Sequence, residues 1–266
     1  MSLQACGLGF AYPCGRELFS GLDFDLDPGE RVAILGPSGT GKTTLCQLLS
    51  GFLLPAAGEV LVDGDPLVPV GRLRGCASPV QLLWQHPEQA FDPRMRLGRS
   101  LSEVPGADGE LLDELLSAFD VREEWPARRP SELSGGELMR LAMVRALACR
   151  PRYLIADEST AMLDAVTQAE LWHVLMDLQE RDGWGLPSSR IRRHSSRAWP
   201  PGPSCWQTPA SNNPIPFGRK KGRHLEVTAL KVRLRPWREG LTCSKRRPRR
   251  RRRRRWHRPW GCCPCR

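Results

Sequence analysis

A glycine-rich stretch, Gly36 to Thr43, has the spacing GxxxxGK[ST] of a phosphate-binding loop. Its glycines let the backbone wrap around a phosphate chain so that amide hydrogens point inward. Lys42 would bring positive charge to the β- and γ-phosphates, and the Thr43 hydroxyl would bind Mg²⁺. A short apolar strand, Arg31–Leu35, precedes the stretch and a helix from about Lys42 to Ser50 follows it, which is the context that the motif requires. The residues expected to contact the nucleotide are Gly36, Pro37, Ser38, Gly39, Thr40, Gly41, Lys42, Thr43 and Thr44.

Two adjacent carboxylates follow a second apolar strand, Tyr153–Ala156. A strand beside the phosphate loop would bring Asp157 to the metal ion and Glu158 next to the γ-phosphate, where it would polarise an attacking water. Two acids after a strand are, taken alone, more often the start of a solvated loop. The phosphate loop in the same chain favours the catalytic interpretation.

A third motif, Leu133-Ser134-Gly135-Gly136-Glu137, begins a helix that is predicted over Ser134–Cys149. The amide groups at such a helix start form an anion-binding site, although a capped helix without a ligand would have the same pattern. Together and in this order, the three motifs resemble those of ATP-binding-cassette (ABC) proteins. The resemblance covers about residues 1–184 and implies that two such domains pair head to tail. Ser134, Gly135 and Gly136 would then contact the γ-phosphate of ATP held by the partner chain.

Alternating strands and helices predict an α/β fold with a mainly parallel sheet covered on both faces. The resemblance implies more: a P-loop NTPase (RecA-like) core, an antiparallel β subdomain, and a helical signature subdomain over about residues 86–145. Helices are predicted over Asp108–Phe119, with Asp108 as the N-cap, and over Val166–Glu180.

Three single residues acquire roles from the resemblance. Gln85 matches the glutamine loop, which lies near the metal ion, contributes to catalysis and couples the nucleotide to the membrane subunit. Asp164 matches the aspartate loop at the dimer interface. Tyr12 is placed like the aromatic residue that stacks on adenine, although one tyrosine near an N-terminus is often plain core or surface.

Two stretches indicate a subtype. Gln85–Glu103 and Thr160–Trp172 resemble the ATPases of oligopeptide, dipeptide and nickel importers. This resemblance implies an ATP-hydrolysing subunit at the cytoplasmic face of the plasma membrane. Its partners would be a second ABC ATPase, transmembrane permease subunits and, indirectly, an extracytoplasmic substrate-binding protein.

The charge of the chain is divided unevenly. Residues 1–184 hold 16 Lys and Arg against 27 Asp and Glu, a net charge of −11, whereas residues 185–266 hold 24 against 2, a net charge of +22. The basic part, which contains the run Arg249–Arg255 near its end, is expected to be disordered. A nucleic-acid-associated ABC ATPase is therefore an alternative function, but the acidic body and the single cassette disfavour it.

The sequence departs from the family after Gly185. An apolar strand and then a histidine that contacts the γ-phosphate should follow, but Pro187, Ser188 and Ser189 interrupt any strand, and His194 lacks the expected apolar run before it. We therefore predict that the fold is truncated there, that residues 185–266 lie outside the domain, and that this chain turns ATP over poorly.

The genetic code suggests a cause for this departure. The third base of each codon, read with the first two bases of the next, permits an apolar strand, then Ser or Thr, then His at Arg190/Ile191. We therefore predict that the chain is read out of frame from about Gly185. Two alternatives are an authentic basic tail and a non-catalytic product of a damaged gene.

Overall fold

A computed structural model of the chain describes residues 2–13, 17–36, 38–157, 163–191, 215–216 and 228–232. All of them belong to one compact unit, Met1–Arg233. The prediction of a disordered tail falls almost entirely outside these residues.

One sheet is antiparallel and lies at the N-terminal side of the sequence. Its strand order is β2-β1-β4-β5, and the pairs are antiparallel throughout. Apolar residues alternate with exposed ones along β2, as expected for a sheet with one buried face. The predicted antiparallel subdomain is confirmed. The bounds are β1 Leu3–Ala11, β2 Glu17–Leu26, β4 Ala57–Val62 and β5 Asp65–Pro66.

The second sheet carries the strands that precede the chemical motifs. Its order is β6-β7-β8-β3-β10-β9. The first four strands are parallel, whereas β10 and β9 pair antiparallel. Every residue of β7 is buried, as its continuous apolar sequence predicts. The bounds are β3 Arg31–Gly36, β6 Val80–Leu83, β7 Tyr153–Asp157, β8 Leu186–Ile191, β9 Ile215–Pro216 and β10 Thr228–Val232.

The described residues include five α-helices that pack around the sheets, and four of them match the predicted helices to within one or two residues. Asp108 caps α3 as predicted, because its carboxylate accepts a hydrogen bond from Leu111 N at 2.7 Å. One buried cluster joins α2 to α5 with β7, and a second joins the antiparallel sheet with β3 and α1. The helices are α1 Lys42–Leu49, α2 Leu97–Ser102, α3 Gly109–Ala118, α4 Gly135–Ala148 and α5 Ala165–Asp182.

The predicted loss of a strand after Gly185 is wrong. Leu186–Ile191 forms β8, which pairs parallel with β3 along its whole length and also pairs with β7. The physical reason is that β3 and β7 each present backbone donors and acceptors toward the space between them. An extended segment can pair with most of those groups even when its side chains are not apolar, because the ladder is made of backbone atoms.

Pro187 weakens that central strand. Gly185 N donates to Arg152 O on the β7 side and Leu186 N donates to Glu30 O on the β3 side, so the nitrogen of residue 187 points toward β7. Proline has no proton there. The β7–β8 pairing is accordingly interrupted: it holds at Gly185 and resumes only at Ser188. Proline is rarely found in a central strand for this reason.

Among the helices of the described residues, none is both long and apolar enough to cross a membrane.

Candidate nucleotide-binding site

The glycine-rich loop joins the end of β3 to the start of α1. Gly39 and Gly41 have φ angles of 79° and 90°, which glycine adopts without steric cost. Gly41 also has no room for a side chain, since a Cβ atom would lie 2.8 Å from Leu18 Cδ2 and 2.9 Å from Phe19 Cζ. The antiparallel sheet therefore supports the loop from one side. Pro37 lies outside the described residues.

Lys42 is the buried cation of the loop. Only 5% of its surface is exposed, and its ammonium group donates to Gly36 O at 3.2 Å. A buried ammonium is costly unless it is paired or hydrogen-bonded, so the loop holds its positive charge against backbone carbonyl dipoles. Lys42 is also the first residue of α1, whose N-cap, Gly41, offers no capping side chain.

These features fit a triphosphate. Left-handed glycines turn successive amide groups inward, and the positive end of α1 adds to the charge of Lys42. No atom of the described residues would lie within 4 Å of a Cβ atom on Gly39, so none of these residues fills that side of the loop.

Asp157 ends β7 at the same edge of the sheet. It pairs with Ser189 of β8, which pairs in turn with Ile34 of β3. Asp157 is therefore level with Ile34, two residues before the end of β3, and two strand spacings away from it, about 10 Å. The Asp157 side chain is buried and that of Thr43 is exposed. A carboxylate and a hydroxyl are the oxygen ligands that suit Mg²⁺. Glu158 lies outside the described residues.

Gln85 follows β6, the neighbour of β7. Leu83 pairs with Ala156 in a parallel register, so Gln85 lies just past the same sheet edge as Asp157. Its side chain is half-buried. The sheet thus brings Gln85, Asp157 and the glycine loop to one edge, with β8 lying between β7 and β3.

Ser134 begins α4 in a capping box. Its backbone N–H and its hydroxyl both donate to Glu137 Oε2 at 2.8 Å, and Glu137 N donates back to Ser134 Oγ at 3.4 Å. The hydrogen bonds from Ser134 lower the pKa of Glu137 below its ordinary value. A Cβ atom on Gly135 would meet nothing within 4 Å. The space beside Gly135, at the start of α4, is therefore not occupied by any described residue of the chain.

Asp164 caps the helix that follows it. Its carboxylate accepts hydrogen bonds from Val166 N at 3.1 Å and Thr167 N at 3.0 Å, and the bond from Thr167 contributes most to a lowered pKa of Asp164. Gly136 lies beside this turn: a Cβ atom there would be 3.6 Å from Thr167 Cγ2 and 3.9 Å from Leu163 Cδ2. The signature turn and the Asp164 turn are thus neighbours within one chain.

Tyr12, just after β1, lies against the start of α1. Its hydroxyl is 2.8 Å from Thr44 Oγ1, and its ring meets that of Phe10 edge to face at 5.0 Å between centroids. Its ring is therefore held beside the phosphate loop, while 47% of the residue stays exposed.

Arg140 positions the signature helix and was missed from the sequence. Its guanidinium donates to Phe119 O and to Glu170 Oε2, both at 3.0 Å. It thereby ties α4 to the end of α3 and to α5. The sequence does place this arginine between Met139 and Leu141, two apolar residues that are buried in α4. A charged residue at such a position indicates a specific partner.

With this geometry established, comparison with known proteins decides the family. The family model described as ABC transporter matches residues 19–161, more than half of the chain. This chain belongs to the ABC transporter family. Members of the family bind and hydrolyse ATP. The three motifs that resemble those of the family lie in the glycine loop, at the end of β7 at Asp157, and at the start of α4 at Ser134.

Individual relatives agree with this assignment. The chain is 35% identical to a probable peptide ABC transporter ATP-binding protein of Sinorhizobium fredii, over 62% of the chain and 50% of that protein. It is 31% identical to a glutathione import ATP-binding protein of Salmonella typhimurium, over 68% of the chain and 32% of that protein. The chain thus spans about half and about a third of these curated relatives.

A solved structure shares the fold. It is that of cbiO1 from Clostridium perfringens, part of the ABC transporter complex cbiONQ, with a TM-score of 0.58 and 26% identity over 71% of this chain and 78% of that chain. The predicted fold class, an ABC-type P-loop NTPase with antiparallel and helical subdomains, is confirmed.

Replacing Gly41 with alanine should disrupt the loop. The Cβ atom would contact Leu18 and Phe19, and φ near 90° is strained for alanine. We expect Gly41→Ala to lower the free energy of unfolding by about 2 kcal/mol in urea denaturation. Gly71→Ala is the control, because Gly71 has an ordinary φ and open space. Equal stability of the two variants would contradict the assigned packing.

Proposed function

We propose that this chain is the ATP-binding subunit of an ABC importer that couples ATP binding and hydrolysis to the uptake of peptides or nickel. The observation that carries the proposal is the buried ammonium of Lys42, held inside a glycine loop at the positive end of α1. The names of two relatives, a peptide transporter protein and a glutathione importer, support a peptide-like substrate. Nickel rests on the resemblance of Gln85–Glu103 and Thr160–Trp172 alone.

The residues at the sheet edge divide the chemistry. ATP, when bound, supplies the phosphoanhydride bond that is broken. Lys42 exchanges its carbonyl contact for phosphate oxygens and balances their charge. Thr43, Asp157 and Gln85 would hold Mg²⁺ at the edge where β3 and β7 end, and the ion would balance phosphate charge there. Glu158 would polarise the attacking water beside the γ-phosphate.

The helix start at Ser134 serves a second cassette. The open space at Gly135 lies at the N-terminus of α4, where amide groups and the helix dipole attract an anion. We infer that this surface closes over the ATP of a partner subunit, either a copy of this chain or a sister. Asp164, beside Gly136, would belong to the same interface. The pair would bind permease subunits through the region after Gln85, at the cytoplasmic face of the membrane, with the substrate-binding protein reached indirectly.

The segment that forms β8 limits turnover. Pro187 and Ser188 are buried in the centre of the sheet, where an apolar strand would pack better and pair fully with β7. We infer that this segment is out of frame and that the shifted frame restores an apolar strand followed by the missing histidine. We therefore expect the chain with its present sequence to bind nucleotide but to hydrolyse it slowly.

The first test removes the buried cation. Lys42→Ala should weaken Mg-ATP binding by about ten- to a hundredfold in titration calorimetry, because a hydrogen bond to a charged group is worth about 1.5–3 kcal/mol. Arg99→Ala, which removes an exposed cation paired with Glu103, is the control. Unchanged affinity in Lys42→Ala, or no affinity in the unmodified chain, would sink the proposal.

The second test separates folding from pairing. Gly135 and Gly109 are both first residues of helices with open space at Cβ. Alanine at either position should leave the free energy of unfolding unchanged or raise it by up to about 1 kcal/mol. Only Gly135→Ala should lose Mg-ATP-induced dimerisation, measured by light scattering. Dimerisation of Gly135→Ala at the level of Gly109→Ala would exclude a role for this surface.

The third test restores the reading frame at the codon of Gly185. We expect the corrected chain to gain about 1–3 kcal/mol in free energy of unfolding, because the Leu154 carbonyl on the β7 side regains a donor, and to hydrolyse ATP. Pro187→Val in the present chain should recover part of the stability and none of the hydrolysis. A stop codon in the shifted frame, or no apolar strand and histidine near Ile191, would rule the frame error out.

A further inference from the structure

Tyr12 is fixed at two points. Its ring edge packs on Phe10, and its hydroxyl is 2.8 Å from that of Thr44. Thr44 is only 5% exposed, whereas Tyr12 is 47% exposed. The buried threonine thus holds one end of an aromatic ring whose remaining surface is available to a ligand.

The second point of attachment belongs to the phosphate loop. Thr44 directly follows Thr43 in α1, within the first turn of the helix that begins at Lys42. A hydroxyl has one proton and two lone pairs. When Tyr12 donates to Thr44 Oγ1, the threonine can donate its own proton to one further acceptor. The hydrogen bond therefore connects the Tyr12 ring directly to the first turn of α1, which follows the phosphate loop.

We propose that Thr44 is a positioning residue for the nucleotide base: through the Tyr12 hydroxyl it fixes the ring as a stacking platform and couples base stacking to phosphate binding. This inference rests on the proposed function, in that the ligand is a nucleoside triphosphate. A ring already held in its binding orientation loses less freedom when a base stacks on it, so the hydrogen bond increases affinity without contacting the base.

A purely structural bond between β1 and α1 makes a different prediction. It would change stability, or would change binding of every phosphate ligand equally. A platform that is positioned for a base affects only ligands that carry a base. Inorganic tripolyphosphate with Mg²⁺ is therefore the discriminating probe, because it has the phosphates of ATP and no ring to stack.

The experiment measures Mg-ATP and Mg-tripolyphosphate binding to the full chain by calorimetry. Tyr12→Phe keeps the ring and loses the hydroxyl, so we expect about three- to tenfold weaker ATP binding and unchanged tripolyphosphate binding. Thr44→Val should weaken both ligands, and adding Tyr12→Phe to it should cost no more than about twofold for ATP, since the two changes remove the same bond. Thr44→Ser keeps the hydroxyl that bonds to Tyr12. Adding Tyr12→Phe to the Thr44→Ser variant should therefore still weaken ATP binding by about three- to tenfold.

The only other tyrosine of the chain is the matched control. Tyr153 is buried, and its hydroxyl has no hydrogen-bond partner among the described residues. Tyr153→Phe should therefore leave ATP affinity unchanged. A melting curve of each variant would check that it folds.

Two results with variants, and a third with the unmodified chain, overturn the inference while the proposed function stands. One is a Tyr12→Phe variant that binds ATP as tightly as the unmodified chain in a Lys42-dependent manner. The other is fully multiplicative losses in the Tyr12→Phe/Thr44→Val double variant. If the unmodified chain binds Mg-tripolyphosphate and Mg-ATP equally, the base contributes nothing and the platform is also excluded. Absence of binding to either ligand defeats the proposed function itself.

Discussion

The structure depends on one interaction, the buried contact between the Lys42 ammonium and the Gly36 carbonyl. A buried cation is tolerated only with polar partners, so the loop must wrap around it, and Gly39 and Gly41 take left-handed conformations to do so. The antiparallel sheet then closes on Gly41 through Leu18. The same arrangement places Lys42 at the first position of α1, where the positive end of the helix dipole adds to its charge. Folding of the loop therefore also assembles the proposed phosphate site.

The motifs that could be predicted from sequence are those that depend on short stretches of chain. The Lys42 loop needs only a strand, a turn and a helix in succession, and the Ser134 cap needs only a glutamate three residues later. The Asp157 edge follows from parallel strands. The Tyr12–Thr44 bond joins residues 32 apart in sequence, and no local pattern encodes it. Arg140 was missed because its partners on α3 and α5 are also distant in sequence.

The prediction that failed also has a physical reason. Side-chain pattern was taken to decide whether a strand forms after Gly185, and Pro187, Ser188 and Ser189 lack the apolar pattern of a buried strand. The neighbouring strands β3 and β7 decide it instead, because their facing backbone groups must be paired. The side chains still have a consequence, since the proline interrupts the β7 ladder. Backbone pairing therefore specifies where the strand lies, and the identity of its residues determines how many of its hydrogen bonds form.

The position of β8 determines the spacing of the proposed site. The glycine loop follows β3 and Asp157 ends β7, and these two strands do not touch: β8 lies between them. The separation of the glycine loop from Asp157, the proposed metal ligand, is therefore set by the two ladders of one strand. The ladder on the β7 side is interrupted at Pro187, but Ala156 and Asp157 still pair with Ser188 and Ser189. The carboxylate end of β7 is therefore held by the part of β8 that follows the proline, so the interruption costs stability at the start of the strand and leaves Asp157 in register with β3.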